Sequence, residues 1–198
     1  LASTEKNSRA HYNLGAAFGR LGRYEEALPE LVSALAIEPG YAEAHYNLGV
    51  ALTRLGRVAE AIGYYQSAIA LRPDMPEARN DLGNALLEQG RWDEAVDQYR
   101  EAVRLHPANA ESLSNLGMVE GQRGQLAAAI SNYQASLAIR PDNADARSNL
   151  GTLLGRAGRW AEALASFEQA LALRPEALEA RNNLAWLLAT CPEAALRD

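Results

Sequence analysis

Apolar residues recur along this chain at intervals of three and four, which is the spacing of an amphipathic helix rather than of a strand. Leu14, Phe18 and Leu21 form one such run. A second run follows after a short break and contains Ala27, Leu31, Ala34 and Leu35. Hydrophobic residues, mainly Ala and Leu, make up 48% of the chain and aromatic ones 7%, a composition that favours helix. The pattern predicts short helices in pairs, with a turn inside each pair.

The paired pattern recurs with a period of 34 residues. Asn or Asp followed by Leu-Gly marks each unit, at residues 13–15, 47–49, 81–83, 115–117 and 149–151. A second glycine follows seven residues after the first: Gly22, Gly56, Gly90, Gly124 and Gly158. A proline closes each unit: Pro39, Pro73, Pro107, Pro141 and Pro175. Each unit is therefore predicted to contain a first helix, a turn and a second helix, named helix A and helix B below.

Each glycine and proline of the motif has a physical reason for its place. The first glycine lies inside helix A, where Gly costs about 1 kcal/mol relative to Ala, so we expect helix B to approach closely there. The second glycine stands where helix A must end and suits a left-handed cap. The proline ends helix B because it has no backbone N–H with which to continue the helix.

With this period and motif, the chain resembles the tetratricopeptide repeat family over nearly its whole length. The resemblance implies an all-α fold, a right-handed superhelical solenoid of antiparallel helix pairs. Five full repeats are expected at 8–41, 42–75, 76–109, 110–143 and 144–177. A partial repeat, 178–198, has helix A only, which ends near Thr190. The whole chain is thus predicted to be a single repeat array.

The two ends suggest a piece of a longer protein. Leu1-Ala2 stands one period before Leu35-Ala36, which suggests the remnant of an earlier helix B, although Glu5 occupies the place of its closing proline. At the other end, the last repeat lacks its helix B. We therefore expect further sequence, and with it any chemistry, outside this array.

Charge and cysteine content narrow the classes of partner. A net charge of −6 and a pI near 5.2 argue against nucleic-acid binding, which depends on Lys and Arg. Cys191 alone gives no sign of an oxidising compartment, so a cytoplasmic location is expected. No apolar run approaches the roughly 20 residues that span a bilayer, and the first residues lack the apolar core of a signal peptide. Neither membrane insertion nor secretion is predicted.

The sequence contains no recognisable catalytic or cofactor-binding arrangement. His11 and His45 occupy the same place in successive repeats. Neighbouring helices lie about 8 to 10 Å apart, whereas metal ligation needs bonds of about 2 Å, so packing is the better interpretation of these histidines. No phosphate-binding loop and no activated nucleophile is present. We therefore expect neither an enzyme nor a metal or cofactor.

Repeat proteins usually act through an extended surface. Positions are counted here from the first residue of each repeat. Positions 2, 6, 9 and 13 lie in helix A and fall on one face at 100° per residue, and we name them the helix A stripe. Position 6 is nearly uniform along the chain: Asn13, Asn47, Asp81, Asn115, Asn149 and Asn183. An Asn amide donates and accepts, so one amide per repeat could hold about every third peptide unit of an extended chain. This arrangement is similar to the asparagine ladder in the repeat arm of O-linked N-acetylglucosamine transferases. Asn at this place is also common in tetratricopeptide repeats generally, where it merely suits the helix surface.

Charge changes along the stripe. Repeats one and two contribute Arg20 and Arg54, whereas repeat three contributes Glu77, Asp81 and Glu88. Because complementary charge sets the register of a bound segment, a partner should place a basic residue over repeat three. Three side chains at or beside the stripe are candidate aromatic anchors: Tyr12, Tyr46 and Trp186.

These observations favour a protein–protein interaction module that binds an extended peptide or partner protein in a concave groove and acts as a scaffold. One alternative is the substrate-recruiting arm of a larger enzyme such as a glycosyltransferase. Another is self-assembly, because the uncapped last helix is expected to expose Leu184, Leu187 and Leu188.

Two residues depart from the repeat pattern. Pro29 falls inside helix B of repeat one, where it is expected to kink or shorten the helix. Glu120 stands where other repeats have Phe or Leu, and a charge there is costly unless it reaches water or a partner such as Arg123. Of the two, its carboxylate is expected to bend out to solvent. With Gly117, Gly121 and Gly124 nearby, repeat four is predicted to be the softest part of the array.

Overall fold

The computed structural model describes residues 2–192, and side chains from residue 7 onward. The described residues form eleven helices and no strand. The helices are α1 (Ala2–Arg20), α2 (Tyr24–Ile37), α3 (Ala42–Arg54), α4 (Val58–Leu71), α5 (Pro76–Glu88), α6 (Trp92–Leu105), α7 (Ala110–Gln122), α8 (Leu126–Ile139), α9 (Ala144–Arg156), α10 (Trp160–Leu173) and α11 (Leu178–Thr190). The all-α prediction is confirmed.

The chain divides into two compact units, residues 1–105 with α1–α6 and residues 106–198 with α7–α11. In the first unit, α1, α3 and α5 each pack against the helix that follows, and α2 and α4 also contact the next repeat. The second unit repeats this arrangement: α7 packs on α8, α9 on α10, and α8 and α10 contact the next repeat. Consecutive helices therefore form hairpins, as the repeat pattern predicts.

Helix A begins and ends where the repeat motif predicts. From α3 onward, helix A of each repeat begins at the predicted first residue of that repeat, for example Ala42 in α3 and Leu178 in α11. The second motif glycine of each full repeat has a positive φ, between 73° and 77°, and no other residue of the described chain does. The predicted left-handed cap at the end of helix A is confirmed, and it favours glycine because L side chains strain there.

The first glycine of each repeat allows a large side chain of helix B to cross helix A. A Cβ atom on Gly83 would lie 2.6 Å from Cε1 of Tyr99, and one on Gly151 would lie 2.9 Å from Cε1 of Phe167. Both rings are buried. The predicted close approach is confirmed, and the approaching side chain stands at repeat position 24 of helix B, which is Leu31 in repeat one and an aromatic residue in repeats two to five.

The prediction that the amino-terminal residues are the remnant of a separate, earlier helix B is wrong. Residues from Ala2 belong to α1, which continues without a break to Arg20. The physical reason is the absence of a helix breaker: where each later repeat has its closing proline, this segment has Glu5.

The expected shortening of helix B in repeat one is also wrong. Pro29 lies inside α2, which has 14 residues, as do α4, α6, α8 and α10. Pro29 is the sixth residue of the helix, so the one backbone hydrogen bond it removes belongs near the first turn, and the remaining turns continue to Ile37.

Candidate functional site

All thirteen predicted groove residues reach the surface of their unit. None of them is buried: Tyr12, Tyr46, Asn47, Asp81, Asn115 and Asn183 are half-buried, and Asn13, Arg20, Arg54, Glu77, Glu88, Asn149 and Trp186 are exposed. The helix A stripe is therefore accessible within each unit.

A hollow of about 390 Å³ opens on the stripe of the first unit, and we name it the first hollow. It joins five of the predicted residues from α1 and α3: Tyr12, Arg20, Tyr46, Asn47 and Arg54. Tyr24, at the start of α2, also lines it. The remaining lining residues are small or aliphatic: Gly15, Ala16, Gly19, Ala27, Leu31, Val50 and Ala51. The first hollow thus combines an apolar lining with two guanidinium groups and several tyrosine rings.

The two arginines of the first hollow differ from the arginines that stand just before helix B. Arg20 and Arg54 form no ion pair with any side chain that the structure describes. Elsewhere, arginines just before helix B pair with a glutamate three residues later: Arg23–Glu26, Arg57–Glu60, Arg91–Glu94 and Arg159–Glu162. In these exposed pairs, the hydrogen bond from arginine lowers the pKa of the glutamate. The positive charge of the first hollow is not neutralised in this way.

The acidic residues of repeat three are not equivalent. The Tyr46 hydroxyl donates to Oδ2 of Asp81 at 2.9 Å, which ties α3 to α5, whereas Glu77 and Glu88 are exposed. Burial, followed by the charge of Asp81, raises the pKa of Tyr46 well above its usual range. Glu77 and Glu88 remain the exposed carboxylates of the helix A stripe in this repeat.

Two further hollows lie on the stripe of the second unit. The second hollow, about 230 Å³, is lined by Gly117, Met118, Gly121, Gln122, Tyr133, Asn149, Thr152, Leu153 and Arg156. The third hollow, about 240 Å³, is lined by Gly151, Thr152, Gly155, Arg156, Phe167, Asn183, Trp186 and Leu187. Trp186 is 59% exposed at its edge, and Arg156 donates to the carbonyl oxygen of Gly121 at 3.1 Å. The predicted Asn149, Asn183 and Trp186 are therefore all lining residues.

Several position-6 side chains bond to the preceding repeat. Asn149 Nδ2 donates to the Tyr133 hydroxyl at 3.2 Å, and Asn183 Nδ2 donates to Thr152 Oγ1 at 3.3 Å. Each of these amides keeps a carbonyl oxygen and a second N–H, because an amide offers two donor hydrogens and one acceptor oxygen. Position 6 therefore connects adjacent repeats as well as facing the surface, a role that the sequence pattern does not indicate.

The expected exposure of Glu120 is wrong. Its side chain is 4% exposed, and Asn132 Nδ2 donates to its Oε2 at 2.8 Å. A buried carboxylate needs hydrogen-bond donors, and α8 supplies one from helix B of the same repeat. Asn at position 23 of repeat four was the signal in the sequence.

The expected exposure of the leucines in α11 is wrong for Leu187. This residue is 2% exposed and belongs to the core of the second unit, next to Gly155, while Leu184 and Leu188 are half-buried. Gly155 has no side chain to fill this space, so the Leu187 side chain packs against α9. The large apolar side chains that α11 does expose are Leu178 and Trp186.

His11 and His45 each have one polar partner within the fold. His11 Nδ1 lies 2.7 Å from Oε2 of Glu30, and His45 Nε2 lies 2.9 Å from the carbonyl oxygen of Pro39. No group of three or more His, Cys, Asp or Glu residues in the described part of the chain is arranged to hold a metal ion. None of the helices described is both long and apolar enough to cross a lipid bilayer.

Hairpins of 34-residue period with their accessible face on helix A define a helical repeat protein. Sequence models described as "Tetratricopeptide repeat" match residues 1–40, 12–76 and 109–176, and one described as "TPR repeat" matches residues 83–122. The chain belongs to the tetratricopeptide repeat family. No curated protein matches its sequence.

Solved structures of other repeat proteins share the fold. YrrB, described as "a TPR protein with an unusual peptide-binding site", has a TM-score of 0.77 at 23% identity, covering 87% of this chain and 89% of its own. MamA from Desulfovibrio magneticus RS-1 has a TM-score of 0.77 at 24% identity, covering 87% and 97%. PilF from Pseudomonas aeruginosa has a TM-score of 0.75 at 24% identity, covering 94% and 91%. At these identities the likeness shows the fold.

Proposed function

We propose that this chain binds an extended segment of a partner protein along the helix A stripe and acts as a scaffold. The observation that carries the proposal is the first hollow, which joins five stripe or stripe-neighbouring residues from two repeats. Concave sites with an apolar lining and a few polar groups are the usual places for ligands. The peptide-binding site described for YrrB is in keeping with this use of the fold.

The amides of position 6 suit a peptide backbone. Asn13 is exposed and Asn47 lines the first hollow, and an amide can both donate to a peptide C=O and accept from a peptide N–H. Asn149 and Asn183 each have one N–H bonded within the second unit, which fixes the orientation of the amide toward a ligand. Such contacts hold a segment without selecting its side chains.

The charges of the helix A stripe are proposed to set the register of the bound segment, that is, which of its side chains lies over which repeat. Glu77 and Glu88 are exposed on repeat three, so a basic side chain of the bound segment is proposed to lie there. Arg20 and Arg54 instead favour acidic side chains over repeats one and two. The same contacts serve a substrate-recruiting arm of a larger enzyme equally well, since that role also requires an extended segment on the helix A stripe.

Self-association is a second candidate function, favoured by α11. Leu178 is 69% exposed and Trp186 is 59% exposed, and exposed apolar groups on a repeat promote contact with another copy. Light scattering at increasing protein concentration tests it. A rising mass that Leu178→Ser with Trp186→Ser abolishes supports self-association, and a constant monomer mass contradicts it.

The binding proposal is tested with a degenerate library of twelve-residue peptides, which extend over about 40 Å. The intact chain is expected to enrich a subset of the library. A variant with Asn47, Asn115 and Asn149 changed to Ala is expected to bind the enriched peptides about tenfold or more weakly, since each lost hydrogen bond contributes about 0.5–1.5 kcal/mol.

The matched control removes three polar side chains that are exposed on helix B of repeats two and four: Gln66, Ser131 and Gln134. Changing these to Ala is expected to leave affinity within about twofold of the wild type, because none of them lines the hollows of either unit. Equal losses in the two triple variants, or no enrichment by the intact chain, would contradict the proposed function.

A further inference from the structure

Two positions that line or border the first hollow carry smaller residues in repeat one than in repeats two and three. At repeat position 24, Leu31 stands where the later repeats have Tyr65, Tyr99, Tyr133 and Phe167. At position 12, Gly19 stands where repeats two and three have Thr53 and Leu87, whereas repeats four and five have Gly121 and Gly155. A Cβ atom on Gly19 would meet no heavy atom within 4 Å. Among the five full repeats, only repeat one combines a non-aromatic residue at position 24 with glycine at position 12, and this combination leaves the space above α1 open.

Repeat two shows how the same space is filled when both side chains are present. The Tyr65 ring is buried across Gly49, and its hydroxyl lies 3.0 Å from Thr53 Oγ1. In repeat one, Leu31 contacts the Gly15 position but has no ring or hydroxyl to reach toward Gly19. The volume that this leaves is about 390 Å³, near the lower end of the 300–1,000 Å³ typical of ligand sites.

The lining of the first hollow selects for a large apolar group. Its interior is formed by small and aliphatic side chains such as Ala16, Ala27 and Val50, with the tyrosine rings around them. Tyr12 also contacts Tyr41, with their ring centroids 4.7 Å apart, so the aromatic wall is held in place. An aromatic side chain gains most in such a site, because it buries the largest apolar area and packs against other rings.

The edge of the first hollow selects for negative charge beside that group. Arg20 and Arg54 both line it, and neither forms an ion pair with a side chain that the structure describes. A guanidinium group binds a carboxylate through two parallel hydrogen bonds. Acidic residues that flank the aromatic side chain would supply the missing partners.

We propose that the first hollow is a specificity pocket for a single large aromatic side chain of a bound peptide, with flanking Asp or Glu residues paired to Arg20 and Arg54. This inference rests on the proposed function and adds the chemistry of the partner at repeats one and two. The ligand is thus an extended acidic segment around Trp, Phe or Tyr, not merely any extended chain.

The test fills the hollow without disturbing the fold. Gly19→Leu places in repeat one the residue that repeat three carries at this position, and the Cβ has open space, so the helix is expected to be at least as stable as in the wild type. Gly63→Leu is the matched control, because Gly63 is an exposed helical glycine of α4 with nothing within 4 Å of its Cβ. It does not line the hollow.

The readout is the composition of the twelve-residue peptides that each variant selects from the degenerate library. The wild type and Gly63→Leu are expected to enrich an aromatic residue with Asp or Glu beside it. Gly19→Leu is expected to lose the aromatic preference. In fluorescence anisotropy, a selected peptide should bind the wild type about tenfold or more tightly than the same peptide with Ala in place of the aromatic residue.

A charge variant tests the acidic part separately. Arg20→Glu with Arg54→Glu should lose the enrichment of Asp and Glu, whereas Arg104→Glu with Arg140→Glu, which makes the same change in net charge on exposed arginines, should keep it. Selected peptides that lack aromatic residues, or that bind Gly19→Leu as well as the wild type, overturn the pocket while leaving the proposed function in place. Failure of the wild type to enrich any peptide overturns both.

Discussion

Glu120 is held inside repeat four by hydrogen bonding rather than by access to water. The carboxylate is 4% exposed and accepts from Asn132, whereas the equivalent residues of other repeats are Phe or Leu. Removing one partner of a buried polar pair costs more than the pair contributes, because the remaining group stays desolvated.

Asn132→Ala is therefore expected to lower the free energy of unfolding by about 1–3 kcal/mol. Adding Glu120→Leu, which restores the residue type of repeats two, three and five, should recover most of that loss. Urea unfolding of the single and double variants measures both effects. A double variant less stable than Asn132→Ala would show that Glu120 stabilises the repeat through its other contacts.

Tyr65 gives the fold a dependence on alkaline pH. Burial raises its pKa to about 12, while the hydrogen bond with Thr53 acts in the opposite direction. The unfolded chain ionises at about pH 10, so this tyrosine contributes its full stability below pH 10 and loses it as the pH rises from 10 through 12.

The stability difference between wild type and Tyr65→Phe should consequently shrink by up to about 1.4 kcal/mol for each pH unit between 10 and 12. Urea unfolding at pH 8, 10 and 11.5 measures this difference. A difference that stays constant over the range would show that Tyr65 ionises at the same pH in the folded and unfolded chains.

The helices themselves were well predicted from glycine, proline and apolar spacing. The helix A starts at Ala42, Pro76 and Ala144 follow from the 34-residue period, and the left-handed glycines follow from the need to end helix A within a short turn. The first hollow was not predicted, because a cavity depends on side chains that are absent. Comparing position 24 between repeats would have revealed Leu31 among aromatic residues.

Two glycines in the A helices of the first unit should respond to the same substitution in opposite ways. Gly83→Ala brings a Cβ atom to 2.6 Å from the buried Tyr99 ring and should destabilise the chain by about 1–3 kcal/mol. Gly19→Ala meets open space and should stabilise it by about 0.5–1 kcal/mol. Thermal unfolding of the two variants measures both changes in stability. A shift of the same sign in both would contradict the close packing at Gly83.

Helix α7 should be the softest helix A of the second unit. Repeats four and five carry glycines at the same three places of the motif, so glycine content does not distinguish α7 from α9, whereas the buried Glu120 does. Backbone amides of α7 are expected to exchange with deuterium faster than those of α9, because local opening hydrates the carboxylate. Equal exchange in the two helices would contradict this prediction.

At the scale of the whole molecule, net charge does not describe the helix A stripe, which is the proposed binding surface. The chain carries −6 overall, a net charge that disfavours contact with the phosphates of nucleic acid. Yet the first hollow presents Arg20 and Arg54 without carboxylate partners among the described side chains, while Glu77 and Glu88 are exposed on repeat three. The sequence predicted this alternation along the stripe. It could not predict which charges are neutralised locally, since that depends on contacts between repeats.

Backbone chemical-shift mapping tests most directly whether the helix A stripe is the binding surface. The isotopically labelled 21.4 kDa chain is titrated with a peptide selected from the library. The predicted shifts are concentrated on the A helices, above all on α1 and α3 around Arg20, Asn47 and Arg54, and small on exposed positions of α4 and α8. Shifts concentrated on the exposed residues of the B helices, with the stripe unchanged, would contradict peptide binding through helix A.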